Sequence, residues 1–128
     1  MLSDLVMRLS GIDGSVMWAH QFGTSGQDSG HGIALGPDGS VYVIGQVDGV
    51  LAGTSDGTTA QGGQDAVVVR LDADGVNVAL WQIGTTQDDS GEGIAVDSGG
   101  NRLILGWTKG DFELAVPNRA ESLFLMKR

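Results

Sequence analysis

Asp28-Ser29-Gly30-His31 holds the three side-chain types of a nucleophilic triad within four residues. A working triad aims its nucleophile, base and orienting acid from separate elements, which one short loop does not offer. Sixty-one residues further on the same stretch reads Asp89-Ser90-Gly91-Glu92, with the histidine replaced. What remains is oxygen chemistry. Asp28, Asp88 and Asp89 are candidate calcium ligands, because that ion gathers carboxylate and carbonyl oxygens. The same carboxylates also suit a structural task, accepting N–H groups of their own loop. Recurrence of Asp28 and Asp89 at matching places favours the structural task.

Other candidates are weaker. Asp72-Ala73-Asp74-Gly75 opens like a calcium loop, but Val78, Ala79 and Leu80 stand where later oxygen ligands belong, so a hairpin turn explains it better. Asp48 and Asp56 are too far apart to define a site. His20 and His31 fall in different elements with no partner four residues away. His20 alternates with Trp18 and Phe22, which reads as a packed imidazole. Carboxylates are plentiful, yet nothing pairs two of them across a cleft as glycoside hydrolysis requires. Trp107 stands where the other copy has Gln46 and is the candidate partner contact, an aromatic able to stack on a sugar or a peptide. No catalytic residue and no cofactor site emerges; calcium is the one candidate ion.

The elements that position these residues follow from composition and spacing. The chain has 128 residues, 22 of them glycine, against a usual frequency of about 7%. Two prolines and the lack of a three-residue period exclude collagen. Glycine scattered among Val, Ile and Leu runs points to short strands and tight turns. The net charge of −9 excludes a basic nucleic-acid footprint and disfavours an anionic membrane surface. No apolar run reaches the roughly 20 residues of a membrane-spanning helix, and no secretory signal is visible. No cysteine is present, so neither disulfides nor thiolate metal sites enter.

An internal repeat dominates the chain. Phe22-Gly23-Thr24 matches Ile83-Gly84-Thr85 at an offset of 61 residues, and the match runs without a gap through Ile33-Ala34 and Ile94-Ala95. It continues at Gly39/Gly100, Gly45/Gly106 and Gly49/Gly110, and Asp4 aligns with Asp65 at the same offset. Residues 122–127 echo 66–70. One period reads as four strands, Gly32–Leu35, Ser40–Gln46, Asp65–Leu71 and Asn77–Ile83, called A to D here. Turns are expected at Gly36-Pro37-Asp38-Gly39, Asp72–Gly75, Asp97–Asn101 and Ile12-Asp13-Gly14. Trp18, His20 and Phe22 share a buried face with their counterparts Ala79, Trp81 and Ile83, so both tryptophans lie on it. Ala66-Val67-Val68-Val69 lacks alternation, as a strand covered on both faces should.

A four-stranded meander at fixed spacing, burying its faces on its neighbours, predicts an all-β fold of tandem antiparallel β-propeller blades, about two in number. The series Asp65-Ala66-Val67-Val68-Val69-Arg70-Leu71-Asp72, Asp74-Gly75, Trp81-Gln82-Ile83-Gly84-Thr85, Asp89, Gly91, Gly93-Ile94-Ala95-Val96-Asp97, Gly100-Asn101 and Gly106 resembles the bacterial beta-propeller repeat SBBP. Gly36 in place of Asp97, and Arg102-Leu103 in place of an aromatic strand residue, depart from that pattern. The resemblance implies a large secreted or surface-associated protein, an extracellular or cell-envelope location, and no catalytic residues.

The phase of the repeat divides the chain into 1–31 (strands C and D), 32–83 (A to D) and 84–128 (A to C). That phasing fits a fragment of a longer array; a complete chain would instead favour a homo-oligomer. The long polar connections at 23–31, 84–92, 47–64 and 108–121 are expected on one side, where a protein or carbohydrate partner would dock. The function expected is a non-catalytic interaction or scaffold module. The alternative is a blade pair of a propeller enzyme acting on polysaccharide, with catalytic groups in other blades.

Overall fold

The computed structural model describes residues 4–24, 26–49, 63–110 and 122–127, with residues 77, 78 and 122–127 described as backbone only. The middles of the two loops at 47–64 and 108–121, including Asp56, lie outside the described residues. All nine described elements are strands: β1 Asp4–Leu9, β2 Val16–Phe22, β3 Asp28–Leu35, β4 Val41–Val47, β5 Asp65–Leu71, β6 Asn77–Ile83, β7 Asp89–Val96, β8 Arg102–Thr108 and β9 Ser122–Lys127. They form three antiparallel meanders of two, four and three strands, in the orders β1-β2, β3-β4-β5-β6 and β7-β8-β9.

The tight turns arise where sequence predicts them. Asp72 accepts the Gly75 N–H and donates to Val76, and Asp97 does the same with Gly100 and Asn101. Gly14, Gly39, Gly75 and Gly100 take φ of 75°, 83°, 81° and 81°, a left-handed conformation that glycine adopts without a Cβ clash. Asp72 Oδ1 and Asp97 Oδ1 fasten the turns further by accepting N–H groups two and four residues ahead.

The middle sheet is covered on both faces. Val41, Val43, Val47, Val67, Val69, Leu71 and Leu80 meet Val6, Trp18 and Phe22 of the first sheet. Tyr42, Ile44, Ala66, Val68, Trp81 and Ile83 meet Ile94, Val96 and Ile104 of the third. The valine run of β5 is therefore buried throughout, because each successive side chain enters a different core. Trp18 and Trp81 both point toward the sheet that follows theirs in sequence, the shared face that sequence predicts.

Three expectations need correction. The A strands begin at Asp28 and Asp89, not at Gly32 and Gly93, because a bulge between Gly30 and Gly32 lets pairing resume beyond it; β7 repeats this between Gly91 and Gly93. The B strand is Val41–Val47, one residue later than read. Asp4 is not the pairing counterpart of Asp65: it lies opposite Phe22, the place that Ala66 holds opposite Ile83.

Glycine permits the closest approach between sheets. A Cβ on Gly91 would lie 2.5 Å from Ile44 Cγ1 and 3.2 Å from the Gly45 carbonyl oxygen. Gly91→Ala is accordingly expected to destabilise the fold by about 1–3 kcal/mol through overpacking. Ile44→Ala alone should cost about 2–5 kcal/mol. The double variant should lose less than the two single losses added together, because each change relieves the other. Urea unfolding of the four proteins measures this coupling.

Candidate functional site

Asp28 pairs with Val47, and Asp89 with Thr108, at the ends of their strands. The β2–β3, β4–β5, β6–β7 and β8–β9 connections therefore leave the sheets on one side. On that side the two copies build the same clasp. Thr24 N–H donates to Asp28 Oδ2 at 2.6 Å and its hydroxyl to Oδ1 at 2.8 Å. Thr85 N–H donates to Asp89 Oδ2 at 2.6 Å and its hydroxyl reaches the same carboxylate at 3.2 Å. Each threonine Oγ1 in turn accepts an N–H at 3.1 Å, from Gly26 and from Gln87. The following connection is tied in by Asp48 N–H on the Gln27 carbonyl and Lys109 N–H on the Asp88 carbonyl. Both aspartates are buried at the first residue of an A strand, where they hold the loop that precedes them.

Burial acts on Asp89 and Asp4. It pushes the Asp89 carboxyl above its ordinary value, an effect opposed by donors from Thr108 and Thr85 and reinforced by the charge of Asp88. Asp4 is raised in the same way by burial, against the Gly30 N–H and with the nearby charge of Asp28. Its Oδ2 meets no donor among the described residues. Fully buried Asp65 accepts a hydrogen bond from Gln82 Nε2 at 2.9 Å, and that amide also reaches the Gly49 carbonyl at 2.8 Å.

The bulges carry the second feature of this region. His31 and Glu92 are the extra residues of β3 and β7, at equivalent places in the repeat. A bulge re-aims the side chain it carries, and here the two converge, with Nδ1 of His31 3.9 Å from Oε2 of Glu92. Glu92 Oε1 also accepts from Trp107 Nε1 and from the buried Ser90 hydroxyl, both at 2.9 Å. Lys109 lies 5.9 Å from the Trp107 ring centroid and 3.2 Å from Asp88 Oδ2. His31, Glu92, Trp107, Lys109 and Asp88 thus form a partly exposed polar and aromatic surface across two sheets. The Gly-x-Gly spacing around both bulge residues was the signal for it in the sequence.

Of the candidate ligands, Asp88 and Asp89 are neighbours whose carboxylates turn to different partners. Asp88 accepts Gln64 N–H at 3.1 Å and the Lys109 ammonium, which hold its carboxyl below the usual range. Asp28 sits in the clasp of a different sheet. Among the described residues no three His, Asp or Glu side chains form a group that could hold a metal ion. His20 is half-buried and lies 6.2 Å from the Phe22 ring. The triad types at Asp28, Ser29 and His31 do not converge: Asp28 holds Thr24, and His31 turns to Glu92.

Residues 81–113 match the family model of the SBBP beta-propeller repeat. The match takes in the end of β6, the whole of β7 and β8, the Asp89 clasp, the Glu92 bulge and Trp107. No curated protein matches the chain. Over those residues the chain is similar to an SBBP-type beta-propeller repeat, in agreement with the resemblance read from the sequence.

The raised carboxyls set a pH dependence of known sign. A group whose folded value lies above its unfolded value adds stability below the unfolded value and loses that contribution as pH rises through the folded one. Asp4 and Asp89 therefore oppose folding at neutral pH. Asp13, Asp38 and Asp88, held low by local donors, act in the opposite sense. Asp4→Asn keeps the shape and removes the buried charge. Its melting midpoint is expected above that of the parent at pH 7, with the difference closing as pH falls toward the ordinary carboxylate range, as thermal scans across pH will measure.

Proposed function

We propose that the three sheets are blades of a β-propeller, the middle one complete with four strands. In this reading the chain is a non-catalytic interaction or scaffold module of a bacterial surface or secreted protein. The observation that supports it is the contrast at the bulges. Glycine flanks, aspartate clasps and threonine donors are the same in β3 and β7, whereas the bulged side chain changes from His31 to Glu92. A constant frame presenting variable side chains on one surface is how repeat scaffolds bind partners. Both recurring aspartates hold their own loops, which supports a structural role for them over a reacting one.

The partner class this surface suits is a carbohydrate or an extended protein segment. Trp107 offers a ring for stacking, its N–H held by Glu92, and Glu92, His31 and Lys109 surround it with donors and acceptors. The location of the whole protein in the envelope or outside the cell rests on the likeness to SBBP repeats.

Arrays of soluble polysaccharides and extended peptides, probed with the intact chain, test this reading. Trp107→Ala is expected to weaken retention of a bound probe about tenfold or more, as loss of an aromatic anchor does, while leaving the melting midpoint near that of the parent. Hydrolysis of a probe that disappears in Glu92→Gln would replace the binding role with an enzymatic one. Thermal melting with and without chelator examines the aspartates separately. An unchanged midpoint is expected for clasps; a midpoint lowered by chelator would restore calcium at Asp88 and Asp89.

A further inference from the structure

The chain exposes both halves of an interface that it also forms internally. Inside the molecule, Ile94 and Val96 of β7 pack against the cluster containing Tyr42 and Ile44 of β4. Sixty-one residues earlier, Ile33 and Leu35 of β3 hold the same two positions, yet they are 60% and 72% exposed. Sixty-one residues after Tyr42 and Ile44 stand Leu103 and Leu105 of β8, 38% and 42% exposed. One end of the molecule thus presents the acceptor positions uncovered, and the other presents the covering positions with nothing to cover.

The acceptor side is also a cavity. Val6, Met7, Leu9, Trp18, Ile33 and Leu35 help line a crevice of about 320 Å³ between the first and second sheets. Among the described residues β1 pairs with β2 alone, so its other edge is open. In the second sheet that edge belongs to the β3–β4 hairpin, with Ile44 opposite Val68 and Val43 opposite Val69.

The geometry points to a second copy of this chain as the occupant, its β7–β8 hairpin completing the β1–β2 sheet as β3–β4 completes β5–β6. Carrying the β4–β5 register across the repeat sets Leu105 of the incoming copy opposite Val6, Ile104 opposite Met7 and Trp107 opposite Asp4. The alternation then agrees on both faces. Leu103 and Leu105 join Val6 on the face toward Ile33 and Leu35, while Ile104 joins exposed Leu5, Met7 and Leu9 on the other side of the strand pair. β9 holds this edge of β8 within the chain, and the assembly requires β1 of the neighbour to displace it. Each copy then contributes two four-stranded sheets. Because the two surfaces differ, the contact is head-to-tail, the kind that closes as a ring when its rotation divides a full turn. Trp107 belongs both to this edge and to the ligand surface proposed above, so the variants that test the assembly are placed at Ile33 and Leu105, which that surface does not use.

Light scattering and sedimentation of the intact chain over a concentration series test the proposal. A small whole-number multiple of 13.2 kDa is expected. Ile33→Asp, which spoils the acceptor, and Leu105→Asp, which spoils the donor, should each reduce the mass to one copy. Both positions are exposed in the single chain, so its strand content by circular dichroism should be unchanged. Mixing the two variants should give a 1:1 pair, since one intact donor face and one intact acceptor face remain between them. A monomer at every concentration overturns the proposal, and is the result expected if a hairpin outside these 128 residues fills the crevice. So does an oligomer that survives either substitution, or a mixture that does not pair.

Discussion

Ile44 is the side chain around which the sheets are arranged. It is fully buried, and it occupies the space that side chains at Gly32 and Gly91 would need: a Cβ on Gly32 would lie 3.1 Å from its Cγ2. The A strands of the second and third sheets can therefore approach β4 only as glycine. Those glycines flank the residues that bulge, so the packing requirement and the bulge have one cause. With no side chains on either flank, the backbone folds out at His31 and at Glu92, and both are turned away from the core that Ile44 fills. A constraint of shape in the interior thereby decides where the one charge-changing difference between the two A strands appears.

The aspartate clasps translate this constraint to the loops. Asp28 and Asp89 lie two residues before Gly30 and Gly91, at the point where each A strand leaves its connection. A buried carboxylate in that place costs desolvation unless donors surround it. The preceding threonine supplies two, one from its N–H and one from its hydroxyl. Asp89 has a further donor in Thr108, where the earlier copy has Val47. The second clasp thus has one donor more than the first, although the threonine contacts of the two are equivalent. Among the described residues, charge-assisted hydrogen bonds fasten the side carrying the long connections to the sheets.

The features legible in sequence were those with a fixed period. The offset of 61 residues carried the turns, the clasps and the double burial of β5, because each depends on residue types that recur in place. The bulges were not read, since a strand interrupted by Gly-His-Gly has too little apolar alternation to declare itself, and the A strands came out four residues short. Asp4 was misaligned for a related reason. Sequence similarity matched it to Asp65, whereas pairing is set by β2, which puts Asp4 opposite Phe22. Arg102 marks another limit. It stands where the earlier copy has the core residue Val41, yet its guanidinium lies 4.3 Å from the Trp81 centroid and 5.4 Å from that of Tyr42. Those rings accept a cation where the family pattern has an aromatic strand residue, a substitution that the facing sheet explains.

Stability in such a molecule is a sum over neighbouring sheets, each contact being made by the same positions of successive copies. The middle sheet has a partner on either side and, among the described residues, holds eight of the twelve largest fully buried side chains. Its two faces use alternate residues of one strand: Val67 and Val69 toward the first sheet, Ala66 and Val68 toward the third. Neither face can be changed without altering the spacing of the other, since both are borne by one backbone. A change at a bulge residue touches neither core. His31 and Glu92 can therefore differ in charge while the frame that carries them stays the same, and the surface is free to vary where the interior is not.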